Sequence, residues 1–103
     1  MEKLIENFKN AETSLRNGIN DFIVDKVGRN NSFSLYPNYQ DIIVQDDWDG
    51  YEHWTLVLDS IVVDENDITF ISTTQDGDEA EHSIDNIPTN KLIEMYNKLK
   101  DIL

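Results

Sequence analysis

His53-Trp54-Thr55-Leu56-Val57-Leu58-Asp59 sets the architecture of this 103-residue chain. Trp54, Leu56 and Leu58 fall on alternate positions, and a period of two marks a strand with one buried face. His53, Thr55, Val57 and Asp59 then face away from the core. The following Ser60-Ile61-Val62-Val63 either continues this strand or forms its own after a bulge, and alternation fits both.

The same period recurs on each side. Phe33 and Leu35, then Ile42 and Val44, precede the central run, and Ile68 and Phe70 follow it. Turn chemistry separates them: Pro37-Asn38, Asp46-Asp47-Trp48-Asp49-Gly50, Asp64-Glu65-Asn66-Asp67 and Gln75-Asp76-Gly77-Asp78. Asp76-Gly77 is the strongest hairpin signal, because both residues tolerate positive φ. Connections this short predict antiparallel neighbours.

Further out the period changes to three or four. Leu4, Phe8, Ala11, Leu15, Ile19 and Phe22 form the stripe of an amphipathic helix over residues 2–26, expected to lie against the sheet. Glu12 and Arg16 form a favourable i, i+4 pair on its wet face, whereas Gly18 and Asn20 weaken its middle and predict a bend or early end. Gly28 and the polar residues to Ser32 supply the stop. Ile87-Pro88-Thr89 opens a second helix with Leu92, Met95, Tyr96, Leu99 and Ile102 or Leu103 on its apolar face. The expected fold is α+β in the order α-β-β-β-β-α. An antiparallel meander of four to five strands carries an N-terminal and a C-terminal helix on one face, as a single domain over residues 1–103.

Charge is distributed very unevenly. The chain has a net charge of −13, yet residues 30–90 hold fourteen acids and neither lysine nor arginine. The flanking helical segments nearly balance. A negative field of this kind opposes direct binding to nucleic acid or to anionic lipid, since neutralising phosphates requires displayed Lys and Arg. There is no cysteine, which removes disulfides and thiolate chemistry, and no apolar run long enough for a membrane span. The start lacks the basic and apolar regions of a signal peptide, so the expected location is the cytoplasm.

Strand parity predicts that Asp41, Gln45, Asp59, Asp67, Thr69, Thr73, Glu79, Glu81 and Ser83 share the uncovered side of the sheet as a carboxylate and hydroxyl surface. Beside it, Asp46, Asp47, Trp48, Asp49, Tyr51 and His53 concentrate acids and aromatic anchors around one loop. Mixed charge would serve solubility better than a one-signed stretch, so the pattern points to a cationic partner. The pitch of such a grid is comparable to that of duplex phosphates. The resulting expectation is a non-enzymatic interaction protein, monomer or weak dimer. Its acidic sheet face blocks a basic protein, such as a nuclease or nucleic-acid-binding protein, in the manner of an inhibitor, an immunity protein or a nucleic-acid mimic.

Two other readings come from different classes. The N-terminal stripe could serve a structural or oligomerisation domain, and His53 with neighbouring carboxylates could serve a small metal-dependent regulator. Each histidine, His53 and His82, follows a glutamate that alternation sends to the opposite face, so neither glutamate can orient its own neighbour. Neither acidic turn matches a twelve-residue calcium loop, which leaves weak, adventitious Ca²⁺ binding and no cofactor or metal.

Overall fold

Strand β3 (His53–Val63) runs unbroken for 11 residues through the middle of the sheet. The computed structural model describes residues 2–35, 42–48, 53–74 and 77–103, with side chains for all of these except 46–48, 53 and 54. The two halves of β3 are one strand, and a bulge joins them: Leu58 pairs with Ser72 and Ser60 with Ile71, which leaves Asp59 as the extra residue. The insertion resets the alternation, so that Leu58, Ile61 and Val63 are all buried.

Both N-terminal strands lie along the same side of β3. Strand β1 (Asn31–Ser34) pairs with its second half and β2 (Ile43–Trp48) with its first, both antiparallel. They are two segments of one interrupted edge, and the interruption sits at the bulge. There the Leu35 amide donates to the Asp59 carbonyl at 2.7 Å, and the Leu58 amide donates to the Ile42 carbonyl at 2.8 Å. On the other side come β4 (Ile68–Thr73) and then β5 (Glu79–Ser83), again antiparallel. The sheet is thus a meander of five strands and four positions. Two details differ from the sequence reading. Asp46, Asp47 and Trp48 extend β2 where a turn was expected, with Trp48 opposite His53 as the last pair. After β5, a 3₁₀ turn over Ile84–Asn86 precedes the second helix, its start capped by the Ser83 hydroxyl.

The two helices cover one face. Helix α2 (Thr89–Leu99) buries Leu92, Met95 and Leu99, with Pro88 immediately before it. Helix α1 (Glu2–Val27) buries Ile19 and Ile23. These residues close on Leu58, Ile61, Val63, Ile68 and Phe70 to form the core. The Phe22 ring meets the Tyr96 ring edge-on, at 5.2 Å between centroids.

Helix α1 continues through Gly18 and Asn20 to Val27, so the anticipated weak point does not end it. Gly28 ends it, at φ +93°, with its amide bonded to the Val24 carbonyl. Only the second half of the helix lies on the sheet. Leu4, Ile5, Phe8 and Leu15 are exposed by 71%, 54%, 69% and 44%, which overturns the expectation that the whole stripe contacts the core. The reason is length. Twenty-six residues make a rod of about 39 Å, and a sheet four strands wide spans only about 15–20 Å.

Arg16 marks the edge. Its guanidinium donates to the carbonyls of Ile84 and Ile87, both at 2.7 Å, and to the Thr89 hydroxyl at 3.0 Å. Glu12 accepts from the same hydroxyl. The pair expected on the wet face is instead half-buried and clasps the start of α2.

Candidate interaction surface

The side of the sheet away from the helices can be read as three cross-strand rows. Ile43, Val57, Thr73 and Glu79 form the first; Ser34, Ser60, Ile71 and Glu81 the second; Ser32, Val62, Thr69 and Ser83 the third. Their chain neighbours Leu58, Ile61, Ile68, Phe70 and Ser72 are buried, which identifies these rows as the outer ones. The two central columns, on β3 and β4, hold only valine, isoleucine, threonine and serine, all half-buried.

Carboxylates occupy the margin, except at the bulge. Glu79 and Glu81 stand exposed on the outer edge strand β5, and Asp59 is half-buried at the bulge. The expected continuous carboxylate plate is therefore a hydroxyl and β-branched surface with acids along one edge and at its ends, and a single carboxylate, Asp59, at its centre. Threonine, valine and isoleucine favour a pleated, half-buried surface, which explains why they fill the middle.

The candidate residues do not converge. Asp46, Asp47, Trp48 and His53 belong to the β2–β3 hairpin, where Asp46 pairs with Thr55 and Asp47 with Trp54. Asp49 and Tyr51 lie outside the described residues, as does Asp41. Asp67 stands at the other end of β3, about 33 Å away along the strand. It has a local role as well: its Oδ1 accepts from the Ile68 amide at 2.9 Å and from the Ser83 hydroxyl at 3.0 Å, tying the β3–β4 turn to the end of β5. Gln45 does not share the outer row either. A register shift between Ile43 and Gln45 sets it opposite Leu56, and it is exposed. Glu79 and Glu81 are the two candidates that the fold brings side by side.

Alternation does separate Glu81 from His82. Glu81 pairs with Ile71 on the outer side, whereas His82 pairs with Phe70 on the helix side. There the His82 Nε2 lies 3.0 Å from the hydroxyl of Ser72, which also donates to the Ala80 carbonyl at 3.3 Å. If Ser72 donates to Ala80, the histidine is the donor in the other bond, which requires a proton on Nε2. Ser72 is fully buried, so this hydroxyl is held as a structural link and is out of reach of a substrate. His53 lies seven positions along β3 from Ser60, whose row contains Glu81, so their backbones stand on the order of 20 Å apart.

Among the described residues, cavities border the helices. One of about 310 Å³ lies between α1 and the β3–β4 turn, lined by Arg16, Asn20, Arg29 and Asp67 among others. Both arginines are already engaged, Arg29 with the Asp64 carbonyl at 3.1 Å. Another, of about 410 Å³, opens beside Val44, His82, Pro88 and Lys91. A third, smaller one lies between Ile42 and α2. Among the described residues there is no group of three metal-ligating side chains, and no helix is long and apolar enough to cross a membrane. Comparison with protein-family models, with curated proteins and with solved structures finds no match to this chain.

Proposed function

We propose that the protein is a non-enzymatic interaction module whose open sheet face docks a basic protein. One observation carries the reading: the half-exposed rows on β3 and β4 are uncharged apart from Asp59 at the bulge and are bordered by carboxylates on β5, in a stretch without a single Lys or Arg. Protein interfaces have this anatomy, with charge depleted from the centre and concentrated at the rim.

Val57, Val62 and Ile71 supply the area a partner can cover, and the flanking threonines and serines can bond its polar groups. Glu79 and Glu81, with the acids at both ends of the sheet, attract a cationic surface before contact. Rim charge acts mainly on the association rate and on the choice of partner, and burial of the central rows then slows release. A nucleic-acid-handling protein is a fitting target class, since its own binding surface is cationic. Blocking such a surface by occupation makes the module an inhibitor.

The test is capture of basic proteins at low ionic strength by the wild type and by a Val62→Lys/Ile71→Lys variant, followed by kinetics on the captured species. The reading requires that capture be lost in the variant and that affinity fall steeply with salt. Binding that is unaffected by salt and by both substitutions would reject it.

A further inference from the structure

The exposed half of α1 is the largest feature that the sheet-face reading leaves unused. Glu2–Val27 is one helix, and every residue from Glu2 to Ala11 is exposed. The polar clasp at Glu12 and Arg16 is where the fold releases it. Global dimensions agree: the radius of gyration is 14.9 Å, where a compact chain of this length has about 13 Å. The accessible surface is 7099 Å², where a compact monomer of 12.0 kDa exposes about 6,000 Å². A standard interface buries about 800 Å² per partner, so the surplus is of the size that one docking event covers.

The stripe also has a definite geometry. Leu4, Phe8, Ala11 and Leu15 are separated by steps of four, three and four, the spacing of a two-heptad seam with Leu4 and Ala11 at d and Phe8 and Leu15 at a. Ile5 broadens it on one side. In an antiparallel pair, a positions face d positions, which sets Phe8 against the partner's Ala11 and Leu4 against the partner's Leu15. Large then meets small in the middle of the contact. The residues flanking the seam, Ile5, Asn7, Glu12 and Ser14, include a single charge, so no row of like charges opposes the pairing.

Net charge selects the direction. The body of each molecule is strongly acidic, whereas residues 2–15 hold Glu2, Glu6 and Glu12 against Lys3 and Lys9. Parallel arms would bring the two acidic bodies together at one end. Antiparallel arms hold them at opposite ends of a contact about 20 Å long, more than two Debye lengths at physiological ionic strength.

We propose that the projecting N-terminal half of α1 pairs with the same segment of a second copy as a short antiparallel coiled coil. The contact leaves the open sheet face of each copy free, so the dimer presents two docking faces. It is independent of the sheet-face reading.

Sedimentation equilibrium over a wide concentration range tests it, at 50 mM and 500 mM salt. The expected result is reversible conversion from a 12.0 kDa species to one of twice that mass. Association should strengthen at the higher salt, because screening weakens repulsion between the bodies. That trend is opposite in sign to the salt dependence of docking to a basic partner, so the two proposals fail separately. Leu4→Glu/Phe8→Glu should abolish the heavier species while the near-ultraviolet circular dichroism of the core is retained. The direction is read with cysteine probes, which are clean because the chain has none of its own. A mixture of Leu4→Cys and Leu15→Cys should cross-link to the mixed disulfide several-fold faster than Leu4→Cys links to itself. A single monomeric species at all concentrations, a dimer indifferent to the charged pair, or faster self-linking of Leu4→Cys overturns the proposal.

Discussion

The Glu12 carboxylate accepts a hydrogen bond from the Thr89 hydroxyl at 2.6 Å, across 77 residues of sequence. This contact joins the middle of the first helix to the first residue of the last. It brings a negative group to the start of α2, where Pro88 provides no side-chain cap, so the carboxylate also meets the positive end of that helix. Arg16, one turn on, holds three acceptors of the same corner. Together they divide α1 into a part that belongs to the fold and a part that does not.

Replacing Arg16 by Met should therefore destabilise the protein by about 1–3 kcal/mol, because it takes the guanidinium from the Ile87 carbonyl and leaves the Ile84 carbonyl only its bond from the Ile87 amide. Thr89→Val should cost about 1 kcal/mol through the Glu12 bond. Urea unfolding, followed at a concentration where the chain is monomeric, measures both. Leu4→Gln in the same experiment should change stability by less than about 0.5 kcal/mol, since its side chain touches no core residue. Equal losses at Leu4 and Arg16 would contradict the division of the helix.

Gly28→Ala should lower stability by about 1–2 kcal/mol. The residue sits at φ +93°, and an added Cβ would lie 2.7 Å from the Asn31 side-chain amide. Backbone strain and the displacement of Asn31 act in the same direction. Gly18→Ala is the internal control: it has open space around a Cβ and lies inside the helix, so it should stabilise by up to about 1 kcal/mol. Thermal melts of the two variants should shift in opposite directions.

The strands were legible because buried residues alternate along them, most regularly in β4: Ile68, Phe70 and Ser72 face inward, and Thr69, Ile71 and Thr73 outward. The second helix was legible for the same kind of reason, since Leu92, Met95 and Leu99 hold one face. Two things were not. Periodicity states which face of a helix is apolar but not how much sheet lies beneath it, so Leu4 and Phe8 read the same as Ile19. Parity carries no information on lateral position either. Glu79 has the same alternation as Thr73, and only the strand order shows that the paired positions of the central columns lack acids. The bulge at Asp59 shifts parity within one strand, a change that follows from the neighbouring strands and has no local signal.

The Ser72–His82 link makes a further prediction. Ser72 pairs with Ala80 by register and reaches His82 by its side chain, so it ties β5 to the centre of the sheet on the helix side. Ser72→Val removes the hydroxyl and leaves the imidazole donor without its partner; it should cost about 1–3 kcal/mol. His82→Phe, which removes the other member and stacks on the Phe70 pair, should cost less. If the two effects in a double-mutant cycle simply add, the hydrogen bond contributes nothing to stability.

Glu79 and Glu81 offer the sharpest test of the sheet-face reading, because they are exposed and their removal should leave the fold unchanged to within about 0.5 kcal/mol. Reversing both to lysine changes the rim by four charges without altering the uncharged rows beside it. Attraction over distance should then fall, and capture of a basic partner at low salt should slow on the order of tenfold, with dissociation nearly unchanged. At high salt the wild type and the variant should converge, since screening removes the term that distinguishes them. Ile71→Lys provides the contrast: it lies one strand inward, opposite Glu81, and should accelerate dissociation at every ionic strength. Stopped-flow association and dissociation rates, measured for the three proteins over a salt series, separate steering by the rim from contact by the centre. If the double reversal altered only dissociation, the β5 carboxylates would be contact residues, and steering by the rim would be refuted.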